Sequence, residues 1–167
     1  MSLPPDRPGY TFESDSMLLI TCQAGANRYA IDSRHVSEVL PRLNLHRLNG
    51  SPPWLAGLLI YRGTAIPVVD LTQLTEGSPC PNRLSSRIVV VRAELAGLPR
   101  RFGVLAEHIG LCEVGDAPVE VGDQPAGETG LGKVLLDEQG VFQLIDIARL
   151  VSPDRQAFLF SAAERQG

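Results

Sequence analysis

Gly57-Leu-Leu-Ile-Tyr-Arg-Gly-Thr-Ala-Ile-Pro-Val-Val-Asp70-Leu71 holds two apolar runs separated by Arg62-Gly63. Runs of this length on either side of a two-residue turn read as a β-hairpin. Pro67 lies inside the second run and cannot donate a ladder hydrogen bond, so that strand is expected at an edge or at a bulge. Asp70 closes the run and reads as the cap of a helical turn over Leu71-Thr-Gln-Leu74. Gly57 and Gly63, with Gly103 further on, read as backbone positions that need positive φ or close approach rather than as phosphate cradles.

Upstream, Met17-Leu-Leu-Ile-Thr-Cys22 and Arg28-Tyr-Ala-Ile31 flank turn residues and predict another hairpin. Asp32-Ser33 caps a short turn before Val36-Ser-Glu-Val-Leu40, which alternates like a half-buried strand and stops at Pro41. Ser51-Pro-Pro-Trp54 reads as the opening of a helical turn. Downstream, Ile88-Val-Val-Val91 is apolar at every position, as expected of a strand buried on both faces. Arg101–Glu107 and Ile109–Val114 follow as separate extended segments, then a long Gly/Pro/Asp-rich loop over 115–130. Val134-Leu-Leu136 and Val141–Ile145 give a last hairpin, Asp146 caps a short helix, and Ser152-Pro153 starts a terminal helix to about Phe160. Nine or ten short strands with frequent turns predict an all-β fold of barrel type, with short helices.

The boundaries expected are a tail over 1–16, one domain over 17–160 and a tail over 161–167. The formal charge is −4 and Lys133 is the only lysine, so the clustered basic patch of a nucleic-acid binder is not expected. Cys22, Cys80 and Cys112 are odd in number and widely spaced. With no apolar leader and no apolar run long enough to span a bilayer, the reading is a cytoplasmic protein with free thiols and no direct membrane contact.

Four segments in register resemble the CheW family of chemotaxis coupling proteins. They are Tyr29-Ala-Ile-Asp32 with Val36-Ser-Glu38-Val39; the Gly57–Leu71 stretch; Arg87–Val91 with Phe102-Gly-Val-Leu-Ala-Glu107; and Gly140–Leu150. The resemblance spans about residues 17–151. It implies two five-stranded SH3-like barrels packed side by side around a continuous apolar interface. It also implies a non-catalytic adaptor that needs no cofactor. Such an adaptor binds a chemoreceptor cytoplasmic tip in a groove between the barrels, and the regulatory domain of a CheA-type histidine kinase through barrel edges. The sequence departs from the family in three places: Ile60-Tyr61 stand where Asn-Leu usually precedes Arg-Gly, Glu107 replaces an Asp, and Cys80–Arg87 is unlike a generic member. Tyr61-Arg-Gly63 and Leu84-Ser-Ser-Arg-Ile88 are more similar to a paralogue from a Wsp-type surface-sensing pathway that controls a diguanylate cyclase.

The residues implied in partner binding are Val36, Glu38, Ile60, Tyr61, Arg62 and Gly63. Arg62 at the turn offers a guanidinium fork to a partner's carboxylate or carbonyls, or else an internal salt bridge that holds the turn. Val36 and Glu38, two apart in a strand, share a face, which favours an interface over a split between core and solvent. Val39 and Ile31 are expected in the core, Trp54 in the core or as an anchor, and Phe158 and Phe160 docked on the protein itself. The rival reading is a small SH3-like-barrel enzyme or ligand-binding domain using His35, His46, His108, the cysteines and carboxylates. No short paired spacing of metal ligands supports it, and no Cys–His signature does.

Overall fold

The computed structural model describes residues 17–114, 119–123, 131–137, 139–151, 155–158 and 160. The expected tails and the Ser152-Pro153 helix start lie outside them. Ten strands form in chain order: β1 (Met17–Ala24), β2 (Asn27–Asp32), β3 (Val36–Pro41), β4 (Leu55–Tyr61), β5 (Thr64–Asp70), β6 (Ser86–Leu95), β7 (Leu98–Val114), β8 (Val119–Asp123), β9 (Leu131–Asp137) and β10 (Gly140–Ile145). A 3-10 turn, Ser33–His35, precedes β3, and two short helices follow strands, α1 (Leu71–Glu76) and α2 (Ile147–Leu150). Residues 155–158 and 160 are also helical.

The strands divide into two groups of five that meet at β7. In the first, β4 pairs β5, β5 pairs β7 in parallel, and β7 pairs β6, which pairs β3. In the second, β1 pairs β2, β2 pairs β10 in parallel, and β10 pairs β9, which pairs β8. β7 serves both. Its ladder with β6 runs from Leu98 to Glu107, and its ladder with β1 runs from Glu107 to Val114. At the change of partner His108 has a φ of 53°, and its N–H donates to Ser85 O at 3.0 Å. The two segments expected around His108 are therefore one strand, bent where it leaves one barrel for the other. These are the two five-stranded barrels that the resemblance implies.

Alternation along β6 and β7 creates two cores back to back. Ile88, Val90 and Leu105 face the interior of the first barrel with Leu59, Tyr61, Ile66 and Val68. Val89, Val91, Phe102 and Val104 face the other way, onto the largest core, where they meet Cys22, Tyr29 and Ile31 of the second group. Ile88, Val89, Val90 and Val91 have no exposed surface, as their uninterrupted apolar run requires. Phe160 is buried in the same inter-barrel core, and Trp54 packs against its margin with its ring edge-on to Phe158 at 6.2 Å. A third, smaller core of Leu19, Ala30, Leu135 and Phe142 lies inside the second barrel.

The caps follow from the acids that end each strand. Asp32, Asp70 and Asp146 accept from the N–H groups of Arg34, Gln73 and Ala148, as the sequence predicts. Four expectations need correction. Ser51–Trp54 forms a turn, closed by Leu55 N–H onto Pro52 O at 3.1 Å, because β4 begins at Leu55. β5 is flanked by β4 and β7 from Val68 onward, so Pro67 sits one residue before the parallel ladder begins rather than on an open edge. The loop expected over 115–130 contains β8, whose pairing with β9 overrides its composition. Val39 is 39% exposed, since β3 lies at the end of the sheet order, although its ladder partner Val89 is fully buried.

Candidate functional site

The Tyr61–Thr64 pair closes β4 and β5 over a two-residue turn in which Arg62 has a φ of 50° and Gly63 a φ of 81°. Two successive positive φ values define the hairpin turn whose twist matches that of its strands, and it normally takes Asn-Gly or Gly-Gly. Arg62 therefore occupies a position that disfavours its residue type. Its side chain is 71% exposed, and its guanidinium carbon lies 5.1 Å from the centre of the Tyr61 ring.

Tyr61 points inward from the same turn and closes the mouth of the first barrel. Its hydroxyl donates to Glu38 Oε1 at 2.8 Å, and Arg62 Nη2 stands 3.5 Å from that same oxygen. The hydrogen bond to Glu38, with burial second, holds the Tyr61 phenol above its ordinary range. Arg101 lies over the Tyr61 ring as well, 5.5 Å from its centre. The Arg62–Glu38 pair is long and solvent-exposed, and such pairs contribute about 0–1 kcal/mol. It positions the two groups without locking them together.

Of the six residues expected at the site, the fold gathers Glu38, Tyr61, Arg62 and Gly63. Ile60 alternates to the opposite side of β4 and is 68% exposed beside the turn. Val36 separates from Glu38. The β3–β6 ladder slips between them, so Val36 aligns with Val91 and Glu38 with Val90, consecutive residues that face opposite cores. Val36 packs against the inter-barrel core, whereas Glu38 lies at the mouth of the first barrel. The shared face expected from their spacing is corrected by this bulge, which the alternation of the strand does not announce.

Glu107, the acid at the third family segment, is buried where β7 changes partner; it accepts from Ser85 Oγ at 3.2 Å and Arg83 Nη1 at 3.4 Å. The loop before β6 is pinned around it. Cys80 N–H donates to Asp70 Oδ2, Arg42 Nη1 donates to the Cys80 and Pro81 carbonyls, and Arg83 N–H donates to Ser86 Oγ. Sequence reasoning missed Arg42 and Arg101, since nothing local relates either to the residues they touch.

The residues of the enzyme reading are dispersed. His35, His46 and His108 are all exposed, on different segments, while Cys22 and Cys80 are buried. Burial pushes the Cys22 thiol up to about 12 and raises that of Cys80 too, the opposite of what an attacking thiolate needs. A groove of about 420 Å³ between the start of β2 and the β9–β10 hairpin is lined by Ala26, Asn27, Arg28, Tyr29, Val134, Val141, Phe142 and Gln143, without a histidine or a carboxylate among them. Among the described residues, no group of three or more His, Cys, Asp or Glu side chains is placed to hold a metal ion. No helix among them is long and apolar enough to cross a membrane.

Two side-by-side β-barrels sharing one bent strand, with an arginine turn at one mouth, define a double-barrel module. Among solved structures, the crystal structure of the scaffolding protein TtCheW from Thermoanaerobacter tengcongensis is similar, with a TM-score of 0.69 at 17% identity, over 83% of this chain and 90% of that one. No curated protein sequence matches the chain. The family model of the CheW-like domain matches residues 18–155, and the chain belongs to that family.

Proposed function

We propose that this protein is a cytoplasmic, non-catalytic adaptor of a chemosensory pathway. It couples the signalling tip of a chemoreceptor to the regulatory domain of a CheA-type histidine kinase. The family supports an adaptor role, and the observation that carries the binding site is Arg62. A long cationic side chain is kept at a turn position suited to glycine or asparagine, exposed, beside a tyrosine and a carboxylate. Backbone strain of this kind concentrates where a side chain is needed for recognition. Ile60, Tyr61, Arg62, Gly63 and Glu38 then form the contact surface, with Val36 on the other face of the same wall, against the inter-barrel core. By binding both partners the adaptor lets receptor conformation bias the kinase through shared interfaces. Ile60-Tyr61 in place of the usual Asn-Leu fit a specialised pathway of the surface-sensing type, with a second messenger as its output.

The test is direct titration of the pure protein with a receptor-tip fragment and with the kinase regulatory domain. Binding of both at micromolar concentrations is expected, and no binding of either at tens of micromolar would refute the adaptor role. Arg62→Glu is expected to weaken receptor binding at least tenfold with the melting temperature nearly unchanged. A large drop in melting temperature would instead make Arg62 a structural residue of the turn.

A further inference from the structure

The rim of the first barrel carries more positive charge than its own fold uses. Along β6 the residues Ile88, Val90 and Arg92 share a face, and their ladder partners on β7 are Leu105, Gly103 and Arg101. The first two pairs line the core; the third brings two arginines directly opposite each other where the ladder leaves it. Like charges placed so are destabilising in a sheet. Among the described residues no carboxylate forms an ion pair with either of them. Glu94, two residues further out on the hairpin, pairs with neither, and Glu38 is already engaged by Tyr61 and Arg62. Arg101 Nε is buried without a hydrogen-bond partner, and its guanidinium rests on the Tyr61 ring that Arg62 also covers. A buried donor left unpaired is destabilising, so the arrangement calls for a reason outside the isolated fold.

We propose that Arg92 and Arg101, together with Arg62, grip an acidic segment of the partner protein. Carboxylates of that segment take the guanidinium forks at the barrel mouth. This deepens the adaptor reading and rests on it. Arginine forks match carboxylates bidentately. A protein segment is favoured over a nucleic acid because the chain carries a net charge of −4 without the clustered basic patch a phosphate chain needs, and because exposed Ile60 adds an apolar contact beside the turn.

The test uses the full chain labelled with 15N-arginine and two synthetic helical peptides, one with Glu at i and i+4 beside Leu, the other with Gln in place of Glu. The Nε–Hε signals of Arg62, Arg92 and Arg101 are expected to shift together with the Glu peptide and to stay in place with the Gln peptide. The Arg92→Gln/Arg101→Gln protein is expected to melt no lower than the unaltered protein, as the loss of a like-charge pair requires, and to bind the Glu peptide at least tenfold more weakly. Equal shifts with the Gln peptide, with inorganic phosphate or with a short oligonucleotide would overturn the assignment, as would shifts confined to other arginines. Receptor tip and kinase domain are titrated in parallel. If the double variant binds both as tightly as the unaltered protein, the acidic grip is wrong and the adaptor role stands. If the unaltered protein binds neither while the Glu-peptide shifts persist, the adaptor role is wrong and the rim remains an acidic-segment site.

Discussion

Arg62 sits in the left-handed region, where a side chain with a Cβ is disfavoured by about 1–2 kcal/mol relative to glycine and asparagine is better tolerated. Arg62→Asn should therefore leave the fold as stable or raise its unfolding free energy by up to about 1 kcal/mol, read by urea denaturation. The same variant should lose receptor affinity, and a destabilised Asn variant would contradict the recognition role. That a turn falls at Arg62-Gly63 is legible in the sequence because turn chemistry is local. That Glu38 meets Tyr61, 23 positions away, is not, because it depends on a one-residue slip of β3 against β6. The cysteines give a second prediction at this scale. Cys22 is fully buried and Cys112 half-buried, so a thiol reagent at pH 8 should modify Cys112 first and Cys22 only on unfolding, read by mass spectrometry. The Cys22 thiol titrates near 12 in the fold against an ordinary value of 9.0, so between these values the unfolded chain releases a proton that the folded chain keeps. Stability should fall across that window as pH rises, and Cys22→Ala should flatten the fall.

At the scale of elements, Asp70 shows one carboxylate joining two pieces of structure. Oδ1 caps α1 and Oδ2 accepts from Cys80 N–H, anchoring the loop that leads into β6. Burial raises its pKa, and the backbone donors oppose that rise. Losing the cap and leaving the Cys80 amide unpaired should cost Asp70→Ala about 2–4 kcal/mol, with faster amide exchange over residues 77–85. The cap could be read in advance because Asp followed by an apolar helical turn is a local signal. The bend in β7 could not. His108 is an unremarkable residue for a strand, and only the presence of two different partner strands makes it turn. Gly103 gives the complementary case on that strand, since a Cβ there would come within 2.9 Å of Ile88 Cγ2. Gly103→Ala should overpack the first barrel and cost about 1–3 kcal/mol by thermal unfolding, without a change in turn geometry.

At the scale of the molecule, the two barrels cannot be separated without exposing both sides of one wall. β6 and β7 carry the first barrel's core on one face and the inter-barrel core on the other. Unfolding should therefore be a single transition, with Trp54 fluorescence and far-UV circular dichroism coincident and the slowest amide exchange in β6 and β7. Two transitions would mean that the shared strand does not couple the halves. The fold class was legible because short alternating segments and turns are summed over the whole chain. The pairing order was not, because it is decided by long-range contacts.

That order also sets a schedule for synthesis. Strands β3 to β6 and the first part of β7 are contiguous in the chain, so their barrel can close as soon as they leave the ribosome. β1 and β2 emerge earliest yet must wait, since β1 needs the far half of β7 and β2 needs β10. The hairpin made before the first barrel's strands is thus completed after them, and it waits beside a formed barrel until β10 has been made.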